Sequence, residues 1–376
     1  MPGGKLTSPG SEPARVEKLF QYVPCLKPAY LDELLEWQSD ALALRFAPKQ
    51  HRVVEKNETV PFKGVRQPGG IRSGAVGRVI KVREAGTELF FARKSGDIKA
   101  LAPELDILRG LPPSDHNVSL RASYVKDGSL HLVVRPWAKT DLSQFISNPE
   151  VLPGWATGEN VQKSALIVGW LNCLAVGLAK LHAQHIKHKD IKPANILLAD
   201  TSEDDYTLNA RPVFCDFGLS KLFSEQSKTV GGGCTPYYQA PEQLEGRHAG
   251  RAADVFSLGC VFLELAFMLA NKKRKKLTKR VPTGFASSPE GVGDCIAQLP
   301  TSTFWTGLKE VVGHMLKADP SQRPTAHNVS RQLADISAMA SIAVHCYADA
   351  PPAPTSPQNS QDYDSDSSED GEPLLC

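Results

Sequence analysis

Hydrophobic positions follow two different periods along the chain. In residues 62–136, apolar and polar residues alternate in short runs divided by Gly and Pro, and this alternation predicts β-strands. A stretch with helical spacing, residues 98–111, interrupts them. From residue 141 onward, apolar residues recur every three or four positions, which is the period of an α-helix. A strand-rich first part and a helix-rich second part predict two lobes with a cleft between them.

Three further segments each predict a particular helix. Residues 29–46 have the spacing of an amphipathic helix, which we expect to pack on the main domain. Residues 255–270 are apolar on nearly every side and predict a buried central helix. One face of a long helix is predicted from Ile167, Trp170, Leu171, Leu174, Leu178 and Leu181.

Composition and charge narrow the class of protein. The 41% hydrophobic and 22% charged residues are ordinary for a globular protein. The net charge of +2 comes from 43 basic and 41 acidic residues, so we expect no nucleic-acid partner. There is no signal-peptide pattern and no run of 18 apolar residues, so we expect no membrane span. Eight cysteines without zinc-ligand spacing predict a reducing compartment, the cytoplasm, the nucleus or both.

Two segments carry unusual charge. Residues 347–376 are Pro-rich and then acidic and Ser-rich, which predicts a disordered tail. Residues 272–280, here called the basic block, contain seven Lys or Arg and no acid. A solvated loop is the simplest interpretation of the basic block, and an anionic partner or an import factor is the alternative.

The clearest chemical signal is the segment HKDIKPAN at residues 188–195. An Asp followed five positions later by Asn, with Lys between them, places three useful groups on one short loop. Asp190 can accept a proton from a hydroxyl, Lys192 can neutralise charge on a moving phosphoryl group, and Asn195 can bind a metal ion.

A second signal follows the first by about twenty residues. Asp216 opens the tripeptide DFG directly after an apolar run, where its carboxylate can bind Mg²⁺ that bridges ATP phosphates. Gly218 allows the backbone to turn sharply behind it. The tripeptide APE at residues 240–242 closes the segment.

The ordered set HKDIKPAN, DFG, APE and ADVFSLG resembles the eukaryotic protein kinase family, in its serine/threonine branch. The resemblance implies an α+β fold of two lobes: a small β-rich N-lobe with one key helix at residues 62–135, and a larger α-helical C-lobe at residues 138–340. Residues 62–340 would then be the catalytic domain, and residues 1–60 an N-terminal extension. ATP and Mg²⁺ are the implied cofactors, and the implied substrates are proteins bearing Ser or Thr.

The resemblance extends upstream to a nucleotide site. Gly74 and Gly77 match two glycines of the family's phosphate-binding loop, although Arg72 stands where the first glycine is usual. Lys94 resembles the strand lysine that holds the α- and β-phosphates, with Glu104 as its helix partner and Asp106 as the competing choice. The residues implied to enclose the adenine are Val79, Ala92 and Leu197, and the implied hinge is residues 133–137.

Further matches lie in the second lobe. Asp254 resembles the residue that binds the backbone of the catalytic loop, and Arg323 resembles the arginine that pairs with Glu242. Lys192 and Thr235 favour serine/threonine specificity over tyrosine specificity.

Two other functions compete with this interpretation. A pseudokinase scaffold is favoured by Arg72 and by Lys189, which stands where Arg usually precedes the catalytic Asp. A small-molecule kinase shares the same acidic core, but the long segment at residues 216–242 argues against it. Ser224, Ser227 and Thr229 are candidate phosphorylation sites in that segment. Because Lys189 lacks the two-pronged geometry of Arg, we expect phosphorylation at Thr229 to activate only weakly.

Overall fold

The computed structural model describes residues 45–65, 71–74, 77–152, 154–155, 158–200, 210–222, 236–247 and 249–339. The helix predicted at residues 29–46 falls outside this part of the chain except for its last two residues, which are not helical. The predicted tail and the candidate phosphorylation sites also lie outside it.

A mixed sheet forms the first lobe. The strand order is β1-β6-β7-β5-β4-β2, and β3 also pairs with β4. All pairings are antiparallel except that of β1 with β6. The strands are β1 (Gln50–Val53), β2 (Phe62–Gly64), β3 (Ile71–Gly74), β4 (Gly77–Glu84), β5 (Phe90–Gly96), β6 (Ser119–Lys126) and β7 (Ser129–Arg135).

One helix, α1 (Ile98–Gly110), packs against the sheet beside β6 and β7. It begins at Asp97, whose carboxylate accepts a hydrogen bond from the backbone N–H of Ala100 at 3.1 Å. Leu101, Leu105 and Leu108 recur at helical spacing and are buried. The helix predicted at residues 98–111 is therefore confirmed.

β1 extends the first lobe into the stretch assigned to the N-terminal extension. Its residues pair with β6 in parallel, Gln50 opposite Ala122. Phe46 and Val54, which flank β1, pack in one cluster with Phe62. Residues 46–54 are therefore part of the packed first lobe, together with the predicted range from residue 62 onward.

The second lobe is helical. Its helices are α2 (Leu142–Ser147), α3 (Asn160–Ala183), α4 (Pro241–Leu244), α5 (Arg251–Leu269), α6 (Arg274–Thr278), α7 (Pro289–Ala297), α8 (Thr303–Met315) and α9 (Ala326–Met339). Short strands lie on it: β8 (Thr140–Asp141), β9 (Ile186–Lys187), β10 (Ile196–Asp200), β11 (Ala210–Phe214) and β12 (Lys221–Leu222). They form the ladders β11-β10-β8 and β12-β9. The predicted α+β fold of two lobes is confirmed.

Two long apolar helices, α3 and α5, make up the core of this lobe. By length and composition alone, each could cross a membrane, but 72% of the most apolar window of α3 and 83% of that of α5 are buried inside the protein. Burial on all sides explains why α5 has almost no polar face. Both were predicted from the sequence, and both are confirmed.

Candidate active site

Lys94 joins the two lobes. On β5, its Nζ lies 2.7 Å from Oε2 of Glu104 on α1 and 2.9 Å from Oδ1 of Asp216 in the second lobe. Only 15% of the Lys94 side chain and 5% of the Glu104 side chain are exposed. Asp106 is exposed, so the partner acid is Glu104, as the sequence favoured.

Lys94 and Asp216 stabilise each other's charged form, whereas burial raises the pKa of Glu104 in spite of the neighbouring Lys94. Burial alone would lower the pKa of the Lys94 ammonium, but the carboxylates of Glu104 and Asp216 outweigh burial and raise it above its ordinary value. Burial alone would raise the pKa of Asp216, but Lys94 outweighs burial and lowers it. Lys94 is therefore a cation and Asp216 an anion throughout the neutral pH range.

Gly74 and Gly77 lie opposite each other at the end of the β3–β4 hairpin. Gly77 has a φ of 150°, and a Cβ there would lie 2.5 Å from the carbonyl oxygen of Ser95. The close approach of β4 to the backbone of β5 therefore requires glycine at position 77.

Residues predicted to enclose the adenine lie on three strands. Val79 on β4 is directly opposite Lys94 on β5, and Ala92 is two residues before Lys94, so all three side chains share one face of the sheet. Leu197 lies on β10 in the other lobe, two residues after Asn195. The structure gives these placements; their role in binding a nucleotide stays a prediction.

The side chain of Asp190 is held by two neighbours on the same loop. Lys192 donates from Nζ to Oδ2 of Asp190 at 2.7 Å, and Asn195 donates from Nδ2 to the same oxygen at 2.8 Å. Asn195 also donates to the backbone carbonyl of Asp190 at 2.9 Å. Since its amide nitrogen is used in this way, the amide oxygen is the atom that Asn195 can offer to a metal ion.

Asp216 stands beside Asn195. The backbone N–H of Cys215 donates to the carbonyl of Asn195 at 3.0 Å. Asp216 adopts a left-handed conformation with φ 64°, which Asp tolerates better than most residues. The turn sends Phe217 into the core against His188, with ring centroids 5.1 Å apart, and leaves 41% of the Asp216 side chain exposed.

Asp254 holds the backbone of the catalytic loop, as predicted. Its carboxylate accepts hydrogen bonds from the backbone N–H groups of His188 at 2.9 Å and Lys189 at 2.8 Å. His182 forms a further hydrogen bond to it at 3.0 Å. Burial alone would raise the pKa of Asp254, but these donors outweigh burial and lower it. His182 was not predicted from the sequence. A carboxylate buried in an apolar helix needs several hydrogen-bond donors, and this need was the signal that Asp254 has a further partner.

The predicted pair of Glu242 and Arg323 also forms. Two parallel hydrogen bonds of 2.7 and 2.8 Å join the guanidinium to the carboxylate. Both side chains are at most 1% exposed. This pair anchors α4, and with it the end of the segment that begins at Asp216, to the base of the lobe.

A second buried acid was not predicted. Glu264 lies in α5 with a fully buried side chain, and Arg274 donates to it at 3.1 Å. Tyr238 donates to the same carboxylate at 3.3 Å. Arg274 is one of the seven cations of the basic block, so the block is not solvated throughout. An acid inside an apolar helix needs such partners, and this was the signal in the sequence.

The donor set fits a metal ion shared with a nucleotide. Among the described residues, no group of three or more His, Cys, Asp or Glu is arranged to hold a metal ion. Asn195 and Asp216 are the predicted metal ligands, and each has a side-chain oxygen to offer. Mg²⁺ in nucleotide sites is commonly bound by one or two side chains together with phosphate oxygens.

Comparisons with known proteins agree with this geometry. Residues 68–333 match the family model of the protein kinase domain. The chain is 29% identical over 244 residues to calcium-dependent protein kinase 20 of Oryza sativa subsp. japonica, covering 63% of this chain and 39% of that protein. It is 34% identical over 167 residues to serine/threonine-protein kinase PkaA of Streptomyces coelicolor, covering 43% of this chain and 27% of that protein. The chain thus spans two fifths or less of the length of these relatives.

Proposed function

The chain belongs to the protein kinase family, and we propose that it transfers the γ-phosphate of ATP to serine and threonine hydroxyls of other proteins. The observation that carries this proposal is the contact of Lys94 with both Glu104 and Asp216, which links both lobes around one cleft. The names of relatives that are serine/threonine kinases support the choice of hydroxyl.

Each charged residue has a role in the proposed transfer. Lys94 neutralises charge on the phosphates that do not react. Asp190 accepts the proton of the substrate hydroxyl while that oxygen bonds to the γ-phosphorus and the bond to the bridging oxygen of ADP breaks. Lys192 lies against Asp190 and compensates negative charge on the transferred group.

Asn195 and Asp216 would hold Mg²⁺ through the amide oxygen and the exposed carboxylate oxygen. When bound, the ion supplies positive charge that stabilises negative charge on the phosphates. The all-oxygen ligands favour a hard divalent ion such as Mg²⁺ over softer ions such as Zn²⁺ or Cu²⁺.

A cavity beside the catalytic loop is the proposed place for the substrate peptide. It has a volume of about 510 Å³ and is lined by Lys192, Ala194, Tyr237 and Arg274, among others. Because Lys192 also contacts Asp190, a hydroxyl presented from this cavity would reach the proposed base.

The basic block is proposed as a contact for an anionic partner or an import factor, with the cytoplasm or nucleus as the compartment. Lys275, Lys276 and Lys279 are exposed and could make such contacts. Arg274 would contribute little, because it is already paired with Glu264.

The proposal is tested with purified protein, Mg-ATP labelled at the γ-phosphate, and three degenerate peptide libraries whose acceptor is Ser, Thr or Tyr. We expect label in the Ser and Thr libraries and little in the Tyr library. Nucleotide binding without transfer to any library would indicate a pseudokinase and would overturn the proposal.

A further inference from the structure

A second cavity lies behind the connection between the lobes. It has a volume of about 670 Å³. Arg135, Pro136 and Trp137 of the predicted hinge line it, whereas the predicted phosphate-binding glycines, the adenine-enclosing residues and the pair of Lys94 and Glu104 do not. Its walls come from β4, the start of β5, the loop before β6, the start of β6, the end of β7, the segment that follows β7, and β11. Residues of both lobes therefore face one space outside the proposed active site.

The cavity wall is positively charged. Lys81, Arg135 and Arg211 line it, and the one carboxylate among its lining residues is Asp115. Asp115 pairs with Arg211 at 3.2 Å, so it neutralises only one of the three cations. Burial, followed by the repulsion of Lys139, lowers the pKa of Lys81, consistent with crowded positive charge. Concave surfaces with charge of one sign attract counter-ions more strongly than open surfaces do.

Three buried polar atoms on this wall have no hydrogen-bond partner among the described residues. They are Oδ1 of Asn117, Nε1 of Trp137 and Nε of Arg211. Asn117 is only 3% exposed. Buried polar groups without partners are costly, so this wall is suited to a ligand that supplies them. Two of the atoms donate and one accepts. A peptide with carboxylates offers acceptors and a backbone N–H, whereas a simple anion offers acceptors alone.

We propose that the acidic segment at residues 362–372 of this chain docks in the cavity behind the interlobe connection. This segment has six carboxylates and no Lys or Arg. It complements a wall of three cations, and its backbone N–H groups complement the oxygen of Asn117.

The position of α9 brings the tail close to the cavity. Near the end of α9, Oγ of Ser337 accepts a hydrogen bond from Nδ2 of Asn172 on α3 at 3.1 Å. Two residues earlier on α3, Trp170 donates to the carbonyl of Ala210 at 2.6 Å, and Arg211 of the cavity wall is the next residue. Met339 is therefore about two helix diameters, ~20 Å, from the wall.

The intervening chain is long enough to cover that distance. Residues 340–361 separate α9 from the acidic segment. A chain of 22 residues with random-coil dimensions would have a root-mean-square span of about 26 Å. The docking can thus occur within one chain.

The basic block is the rival position for the acidic segment. Its lysines lie on an exposed surface, where single ion pairs contribute little to binding. Among the described residues, no atom of the basic block is orphaned, and the cavity that Arg274 and Thr278 line has one orphaned atom, the hydroxyl of Tyr237, against three in the cavity behind the interlobe connection. We therefore place the segment in the cavity.

Carbodiimide cross-linking of the protein with all 376 residues tests this proposal, because the reagent joins carboxylates to amines in direct contact. Mass spectrometry should find residues 362–372 joined to Lys81. The yield of this cross-link should not change when the protein is diluted, because both groups belong to one chain. Arg135→Gln with Arg211→Gln removes two cations and leaves Lys81 in place, and we expect it to reduce that yield at least threefold. Lys275→Gln with Lys276→Gln is the matched control and should leave the yield unchanged.

Three results would overturn the proposal: cross-links mainly to lysines of the basic block, cross-links spread evenly over surface lysines, or a yield that falls with dilution. If the variant with both arginines replaced does not fold, a peptide-binding assay tests the docking instead. The protein with its six tail acids changed to Asn or Gln should bind a synthetic peptide of residues 358–376, and salt should weaken that binding. A neutralised peptide should not bind. Equal binding of both peptides, or of neither, would contradict the docking.

Discussion

Replacing Arg323 with Met should destabilise the protein strongly. The guanidinium donates two hydrogen bonds to Glu242 and one each to the carbonyls of Lys317, Ala252 and Ala318, at 2.7 to 3.0 Å. Met fills much of the same space but supplies no donor. The Glu242 side chain, 1% exposed, would then be an unpaired buried charge. Removing one partner of a buried ion pair costs about 3–5 kcal/mol.

The expected loss can be measured by thermal unfolding. A typical domain is stable by about 5–15 kcal/mol, so the predicted loss is a large fraction of the total. At about 2–4 °C per kcal/mol, it corresponds to a fall in Tm of roughly 6–20 °C. Glu242→Gln combined with Arg323→Met removes the stranded charge and should recover part of that fall. Arg247→Met, which breaks the exposed pair with Glu245, is the matched control and should barely change Tm. A fall below about 2 °C for Arg323→Met would refute the argument.

Three further predictions concern the first lobe. Lys94→Met should weaken Mg-ATP binding at least tenfold in isothermal titration, because it leaves Glu104 and Asp216 without their cation. Lys99→Met, at an exposed position, should not weaken it, and equal affinities of the two variants would contradict the site. Gly77→Ala should also weaken ATP binding, because its Cβ would collide with a backbone oxygen; an unchanged Kd would show that the hairpin does not contact the nucleotide. Burial, followed by the charge of Arg93, lowers the pKa of His131 to about 4. Between about pH 6.5 and pH 4, His131 binds a proton in the unfolded state but not in the folded state, so the free energy of unfolding should fall as the pH drops through this range. Tm measured against pH should therefore fall less steeply for His131→Gln.

Much of the second lobe could be predicted because local pattern and burial agree there. The apolar surface of α5 predicts its central position, and the spacing within the segment HKDIKPAN is enough to place three polar side chains on one loop. The contact of Lys94 with Glu104 followed from the family resemblance. Helical spacing favoured Glu104 over Asp106, because Glu104 shares a helix face with the apolar Leu108. The packing of α1 on the sheet buries Glu104 and leaves Asp106 exposed.

Other features depend on contacts that a linear pattern does not contain. β1 pairs in parallel with a strand some seventy residues away, and its sequence QHRV has no apolar alternation. Arg274 lies in a run of lysines, so its pairing with the buried Glu264 is visible only after α5 and α6 have packed. The cavity behind the interlobe connection is assembled from several separate segments, and no motif marks it.

The most direct test of the account is the transfer rate of Asp190→Asn. Asn keeps the shape of Asp190 and can still contact Lys192, but it cannot accept the hydroxyl proton. We expect the rate of transfer from Mg-ATP to a Ser peptide to fall by about 10²–10⁴ with the Kd for ATP unchanged. Asp294→Asn makes the same chemical change at an exposed site and should leave the rate unaltered. If Asp190→Asn transfers phosphate within a few-fold of the unmodified protein, Asp190 is not the base and the proposed mechanism is wrong.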